Sequence, residues 1–172
     1  SETFILSSGS DFFKSEINCN LEGEHSSAFV NGIFSLDKNK HHEIRTTINH
    51  LTENTKSYQL IKSVLEDSCL RLIDLFNDTS EKNFLNIFYN FNLKEDAILK
   101  NYKVDKLENK NIKYSFNNIV QNKNTISETF ILSSGSDFFK SEINCNLEGE
   151  HSSAFVNGIF SLDKNKHHEI RT

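Results

Sequence analysis

The chain repeats its own beginning: residues 1–46 return as residues 127–172 without a single difference. The offset between the two copies is 126 positions throughout. Structural repeats usually span about 20–50 residues, and their sequences diverge except where they pack. A perfect copy of 46 residues has had no time to diverge in this way.

Three origins would produce such a copy: a recent in-frame duplication, an engineered concatenation, or a circular or mis-joined sequence read past its own start. The third is favoured, and it leaves 126 unique residues with one non-native joint among them. Methionine is absent, and the first residues resemble the middle of a strand. We therefore expect an internal fragment of a longer protein.

Composition narrows the class of protein. The chain has 36% hydrophobic and 25% charged residues, and it lacks an apolar run near the roughly 20 residues that cross a bilayer. Its net charge of −5, without a basic run, predicts neither a nucleic-acid nor a membrane partner. The two unique cysteines, Cys19 and Cys69, form neither a disulfide framework nor a CxxC site, which favours a cytoplasmic protein.

Alternating apolar and polar residues predict short strands with one buried face. The clearest example is Leu85–Leu93, and the same period recurs in Ile17–Leu21, Ile44–Ile48 and Ile112–Phe116. The best helical spacing of apolar residues occurs in Tyr58–Leu75. Because this segment spans the suspected non-native joint, we discount the helix that it would predict. Short strands without amphipathic helices indicate an all-β fold, and the period alone fits either a β-sandwich or a β-helix.

Three successive segments carry a family resemblance. They read LEGEHSSAFVNGIFSLD at 21–37, KHHEIRTTINH at 40–50 and SYQLIKSVL at 57–65. In this order and spacing they resemble the SufB/SufD family of iron–sulfur cluster assembly proteins, on the SufD side. The departures from the family pattern are Lys40, Glu43, Ile61 and Ser63.

The order of the segments differs from that of the family. Residues 70–126 resemble the part that normally precedes the motif, so 70–172 followed by 47–69 would restore the family order. The resemblance therefore places the non-native joint near residues 68–70.

The resemblance implies a single domain over residues 1–172, folded as a right-handed parallel β-helix. It also implies a non-catalytic scaffold subunit whose partners are a SufB-like subunit and a SufC-like ATPase. The complex would handle the iron–sulfur cluster, and its ATPase would hold ATP. This chain has no G-x-x-x-x-G-K-[ST] loop, and no catalytic, cofactor-binding or metal-binding residue is assigned to it.

Two rival interpretations remain. One is a β-helix enzyme acting on polysaccharide, which would need clustered acids and basic residues on one exposed sheet. It is disfavoured because arginine occurs at only three positions. The other is that the chain has no function as written, because it is an assembly artefact.

A few polar residues are candidates for chemistry. His41 and Glu43 could hold a metal, but Arg45 shares their strand face and would repel a cation. We expect a solvated outer face there. His42 and His50 fall on the opposite, inner face, and we expect His50 to be neutral and hydrogen-bonded.

The remaining candidates are expected to be structural. Cys19 is predicted to pack as a small hydrophobe, and Cys69 is given no role. Glu22 and Glu24 could form an acid–base pair, but solvated acids beside a turn are favoured. The many asparagines reflect codon bias, side-chain ladders between stacked coils, or both.

A solenoid cut at both ends exposes unpaired strand edges. Each repeated segment would also lack one native neighbour. We therefore expect marginal stability or self-association through the exposed ends.

Overall fold

A computed structural model describes residues 1–107, 110–162 and 164–172, which form thirteen strands and no helix. The strands are β1 Glu2–Ser8, β2 Phe12–Leu21, β3 Ser27–Leu36, β4 His41–His50, β5 Lys56–Leu65, β6 Cys69–Asp78, β7 Phe84–Leu93, β8 Ile98–Lys106, β9 Ile112–Gln121, β10 Ile126–Ser134, β11 Phe138–Leu147, β12 Ser153–Ser161 and β13 His167–Arg171. No helix of the described residues is long and apolar enough to cross a membrane.

The strands wind into a solenoid of about six turns. Odd-numbered strands form a seven-stranded sheet and even-numbered strands a six-stranded sheet, so each turn contributes one strand to each sheet. Neighbouring strands pair in parallel and in register, as Lys56 does with Phe84 and Phe84 with Ile112. The predicted all-β parallel β-helix is therefore confirmed, and the segment with helical spacing is β5 and β6.

Every turn between strands contains a residue with positive φ. Asparagine often occupies this position, as at Asn54 and Asn124, because its short polar side chain tolerates the left-handed conformation. Gly135 has φ 81°, and a Cβ there would lie 1.4 Å from the carbonyl oxygen of Leu107, so only glycine fits that corner. The same residue in the first copy, Gly9, meets no atom within 4 Å.

The core lies between the two sheets. In β7 the alternating residues Leu85, Ile87, Tyr89, Phe91 and Leu93 are all buried, as predicted. The inner faces of β2 and β4 also follow the prediction, with Leu21, Ile44 and Ile48 in the core.

The buried face predicted for β9 was wrong, because the residues that face the core are displaced by one position from the predicted ones. Ile112 and Tyr114 face solvent with exposed fractions of 40% and 41%, whereas Lys113, Ser115 and Asn117 are buried. A shift of one position exchanges the two faces of a strand. The register with β7 pairs the buried Leu85 with Lys113. This register determines which face of β9 is buried, and that face is the opposite of the one that the hydrophobic pattern predicts.

Equivalent strands of the two copies lie in opposite sheets. Strands β1 to β4 of the first copy alternate from the seven-stranded to the six-stranded sheet, and their counterparts β10 to β13 alternate in the reverse order. One turn takes 28 residues between β5 and β7, so the offset of 126 residues equals 126/28, or 4.5, turns. A half-integral number of turns must place the copy on the other sheet.

The suspected joint stays a prediction. Ser68 lies in the turn after β5, and its backbone carbonyl accepts a hydrogen bond from the amide of Ile98 at 2.8 Å. Leu70 follows within β6 and is fully buried. The coil is continuous through these residues.

Candidate functional site

The candidate metal pair lies on the outer face of β4, as expected. Glu43 accepts a hydrogen bond from Arg71 at 3.1 Å and lies 3.6 Å from the Lys14 ammonium. Arg45 pairs with Glu16 at 3.7 Å. Glu43 is thus engaged by cationic side chains, and the described residues contain no group of three or more histidines, cysteines or acids able to hold a metal ion.

His42 and His50 both point into the core. The ring of His50 contacts the Thr55 hydroxyl at 2.6 Å and the Ser57 hydroxyl at 3.0 Å. Burial lowers the pKa of His50 to about 4, because the charged imidazolium would lose its hydration. His42 is likewise buried and lies 2.9 Å from the hydroxyl of Ser7. Both rings act as hydrogen-bonded parts of the core.

The cysteines and the paired acids have structural surroundings. Cys19 is partly buried and packs against the core, whereas Cys69 lies on the outer face of β6 and its pKa is raised by burial. Glu22 and Glu24 are exposed in the turn after β2. Glu24 accepts a hydrogen bond from Asn54 at 3.0 Å. This hydrogen bond connects the turn after β2 to the equivalent turn of the next coil.

Asparagine ladders run between coils. The Asn77 amide donates to Asn49 at 2.9 Å, and the Asn49 amide donates to Asn20 at 2.8 Å. In a second ladder, in the turns, the side-chain oxygen of Asn83 accepts a hydrogen bond from the backbone N–H of Thr55. The side-chain oxygen of Asn111 accepts one from the backbone N–H of Asn83, and both distances are 2.8 Å. Stacked asparagines therefore link successive coils at several positions.

A cluster of charged side chains that the hydrophobic pattern did not predict lies inside the solenoid and is called here the interior polar cluster. Its charged members Asp74, Lys103, Asp105 and Lys113 are each at most 2% exposed. Asp74 and Lys103 are neighbours in register on β6 and β8. Lys113 reaches across the core and forms an ion pair with Asp105. The formal charges of the four side chains cancel.

Neutral groups complete the interior polar cluster. The Tyr89 hydroxyl donates to Asp74 at 2.5 Å, and the Gln59 amide donates to the same carboxylate at 3.1 Å. The Lys103 ammonium donates to Ser115 and to Asn117, each at 2.9 Å. It also lies 4.3 Å from the centre of the Tyr89 ring, which adds a cation–π attraction.

Burial sets the protonation behaviour of this cluster. It lowers the pKa of Lys103 to about 7, with a further contribution from the Lys113 charge, while Asp74 and Asp105 oppose the shift. Burial also lowers the pKa of Lys113, against the pull of Asp105, and raises the pKa of Asp74. The opposite charges in the cluster counteract these shifts only in part, because each charge would cost several kcal/mol to bury alone.

A row of aromatic rings crosses the outer face of the seven-stranded sheet. It starts with Phe29 stacked on Tyr58 at 4.9 Å and ends with Phe138 stacked on His167 at 5.4 Å. Phe29 pairs in register with Tyr58, and Phe138 pairs in register with His167. The rings between them alternate between two outer-face positions that are two residues apart, so they meet along diagonals between successive coils.

A comparison with protein-family models found one family. The model described as "SUF system FeS cluster assembly, SufBD core domain" matches residues 1–74 and residues 66–172. A search of curated proteins gave no match, and a search of solved structures gave none either. Because the two matched segments together span the chain, this protein belongs to the SufBD core family of the SUF iron–sulfur cluster assembly system.

The buried His50 predicts a pH-dependent stability. Its pKa is about 4 when folded and about 6.5 when unfolded. The unfolded chain therefore binds the extra proton first, and the contribution of His50 is intact above pH ~6.5 and lost as the pH falls towards ~4. The free energy of unfolding falls by about 3 kcal/mol as this contribution is lost. Urea titrations across this range should show a shallower pH dependence for His50→Gln than for the unsubstituted chain, and equal slopes would contradict the assignment.

The Lys113–Asp105 pair predicts strong coupling. Asp105→Leu or Lys113→Met alone should each cost about 3–5 kcal/mol, because each leaves a buried charge without its partner. The double variant should lose far less than the sum of the two, since it removes both charges. Denaturant unfolding of the four proteins measures the coupling energy, and additive losses would show that the two side chains do not depend on each other.

Proposed function

We propose that the chain is a non-catalytic scaffold subunit of an iron–sulfur cluster assembly complex and works by associating with other proteins. Its partners would be a SufB-like subunit and a SufC-like ATPase. The observation that carries the proposal is the match of the SufBD core model to residues 1–74 and 66–172.

The placement of the polar residues supports a scaffold. Lys113 and Asp105 form an ion pair inside the solenoid, and the candidate residue Glu43 is engaged by Arg71 and Lys14. The exposed acids and bases on the outer face of β2 and β4 are likewise paired, as Glu16 is with Lys14 and Arg45, and these pairings support a structural role over the acid–base pair of a polysaccharide-cleaving enzyme. In this proposal the chain binds no cofactor of its own, the cluster is the cargo of the whole complex, and ATP belongs to the partner ATPase. The assembly would operate in the cytoplasm.

Co-expression tests the proposal directly. The tagged chain should retain a SufB-like subunit and a SufC-like ATPase from the same source through affinity purification and gel filtration. The retained complex should assemble clusters on an apo-acceptor faster than the partners do without the chain. Failure to retain either subunit would contradict the proposal, as would polysaccharide cleavage by the purified chain.

The Lys113→Met variant provides a matched control for that experiment. The substitution lies inside the solenoid and leaves the outer surface unchanged. If association requires the folded solenoid, retention of the partners should fall in parallel with the folded fraction measured by circular dichroism. Full retention by an unfolded variant would show that the contact is nonspecific.

A further inference from the structure

The outer face of the seven-stranded sheet is apolar although it faces solvent. The large hydrophobic side chains that point outward from β3, β5, β7 and β9 are between 37% and 45% exposed, among them Phe29, Ile33, Leu60, Val64, Phe88 and Tyr114. All residues of these four strands are described, and the only charged side chains on their outer face are those of Lys56 and Lys62. Contiguous exposed apolar surface of this kind marks interaction sites.

The six-stranded sheet provides an internal comparison. Its outer face carries charges of both signs, on Lys14, Glu16, Glu43, Arg45, Arg71 and Lys100. The same solenoid therefore has one charged flank and one nearly uncharged flank. The apolar character of the seven-stranded sheet is thus a property of that flank and not of the whole surface.

The apolar flank is continuous and lies in the middle of the solenoid. Strands β5, β7, β9 and β11 each have a paired strand on both edges. Their pairing runs over the full ten residues of every strand without a bulge. The outward side chains of these strands therefore form one uninterrupted surface, called here the lateral face.

We propose that the lateral face is an interface between two copies of this chain, which pack sheet on sheet about a two-fold axis. The axis would run along the strands, between β7 and β9. It would place β7 of one copy over β9 of the other, and β5 over β11. Such a pair is isologous and closes at two copies. The proposal does not depend on the partners named under the proposed function.

The distribution of charge on the lateral face favours this arrangement. Strands β7 and β9 carry no outward charge, and their centre is the pair Phe88 and Phe116, stacked at 5.3 Å. The outward charges lie on the two flanking strands, as Lys56 and Lys62 on β5 and as Lys140 and Glu142 on β11. Protein interfaces have the same plan, with an apolar centre depleted of charge and a polar rim. A second copy brings an equally uncharged centre, whereas a charged partner would find no opposite charge there.

The asparagines beside this centre are self-complementary. The Asn118 amide donates a hydrogen bond to the Asn90 side-chain oxygen at 3.2 Å. Among the described residues, the Asn90 amide and the Asn118 oxygen make no further hydrogen bond. The proposed axis places Asn90 of one copy opposite Asn118 of the other, so a donor faces an acceptor. The two-fold symmetry provides this match twice.

The size of the lateral face is adequate for a stable dimer. Four strands of ten residues span about 19 Å by about 33 Å, or roughly 630 Å². Standard interfaces bury roughly 600–1,000 Å² on each partner. Two β-sheets that pack face to face in this way are about 10 Å apart, with their strands nearly aligned.

Two leucines provide a matched test of the proposal. Leu60 lies on the lateral face and Leu132 on the outer face of the six-stranded sheet, and both are 37% exposed. Sedimentation equilibrium of the full chain should show a monomer–dimer equilibrium. Leu60→Asp should weaken it roughly tenfold or more, because it places a charge in the interface. Leu132→Asp should leave the dissociation constant unchanged. A chain that stays monomeric at every concentration, or equal effects of the two substitutions, would overturn the proposal.

Cross-linking tests the orientation with variants that leave the apolar residues intact. Asn86 on β7 and Asn18 on β2 are both exposed, on opposite sheets. The full chain carrying Asn86→Cys should be joined into dimers by a bismaleimide with a spacer of about 10 Å, which matches the distance between packed sheets. The Asn18→Cys chain has the same native cysteines and should yield no dimer above the level of the unsubstituted chain. Equal cross-linking of both variants, or products that extend beyond dimers, would contradict the two-fold arrangement.

Discussion

Parallel, in-register pairing between successive coils is the constraint on which this structure depends. Each interior strand can satisfy its backbone amides and carbonyls only through the strands of the coils before and after it. The pairing of β3 with β5, and of β5 with β7, aligns the residues of each coil with those of its neighbours. The asparagine ladder on the outer face and the pairing of Asp74 with Lys103 follow from that alignment, because these residues are in-register neighbours in successive coils.

The same alignment explains how a solenoid accepts charges in its core. Asp74 and Lys103 are in-register neighbours on adjacent strands, and Lys113 meets Asp105 across the interior. Each charge is costly to bury alone and acceptable only beside its partner. Because a slip of one residue would separate these pairs, the interior polar cluster favours a single register over its alternatives.

The class of fold and part of the core could be predicted from the sequence. Alternation in Leu85–Leu93 identified both the strand and its buried face, and the motif at residues 21–37 identified the family. Alternation failed in β9, since Ile112 and Tyr114 carry the apolar side chains on the outer face while Lys113 lies inside. The interior polar cluster was missed for a related reason: its lysines and carboxylates look like surface residues until the register of β6 with β8, and of β7 with β9, is known. Aligning the chain on its 28-residue turn would have placed Lys113 beside Leu85.

Neighbouring coils, and not the local sequence, determine how strongly a strand is held in this solenoid. Residues 29–36 and 155–162 are the same peptide with the same intrinsic exchange rates, but β3 has partners on both edges and β12 on one. Hydrogen-exchange mass spectrometry of that shared peptide is the most direct test. We predict two mass envelopes of equal abundance, a protected one from β3 and a faster-exchanging one from β12. A single envelope at all times would contradict the account.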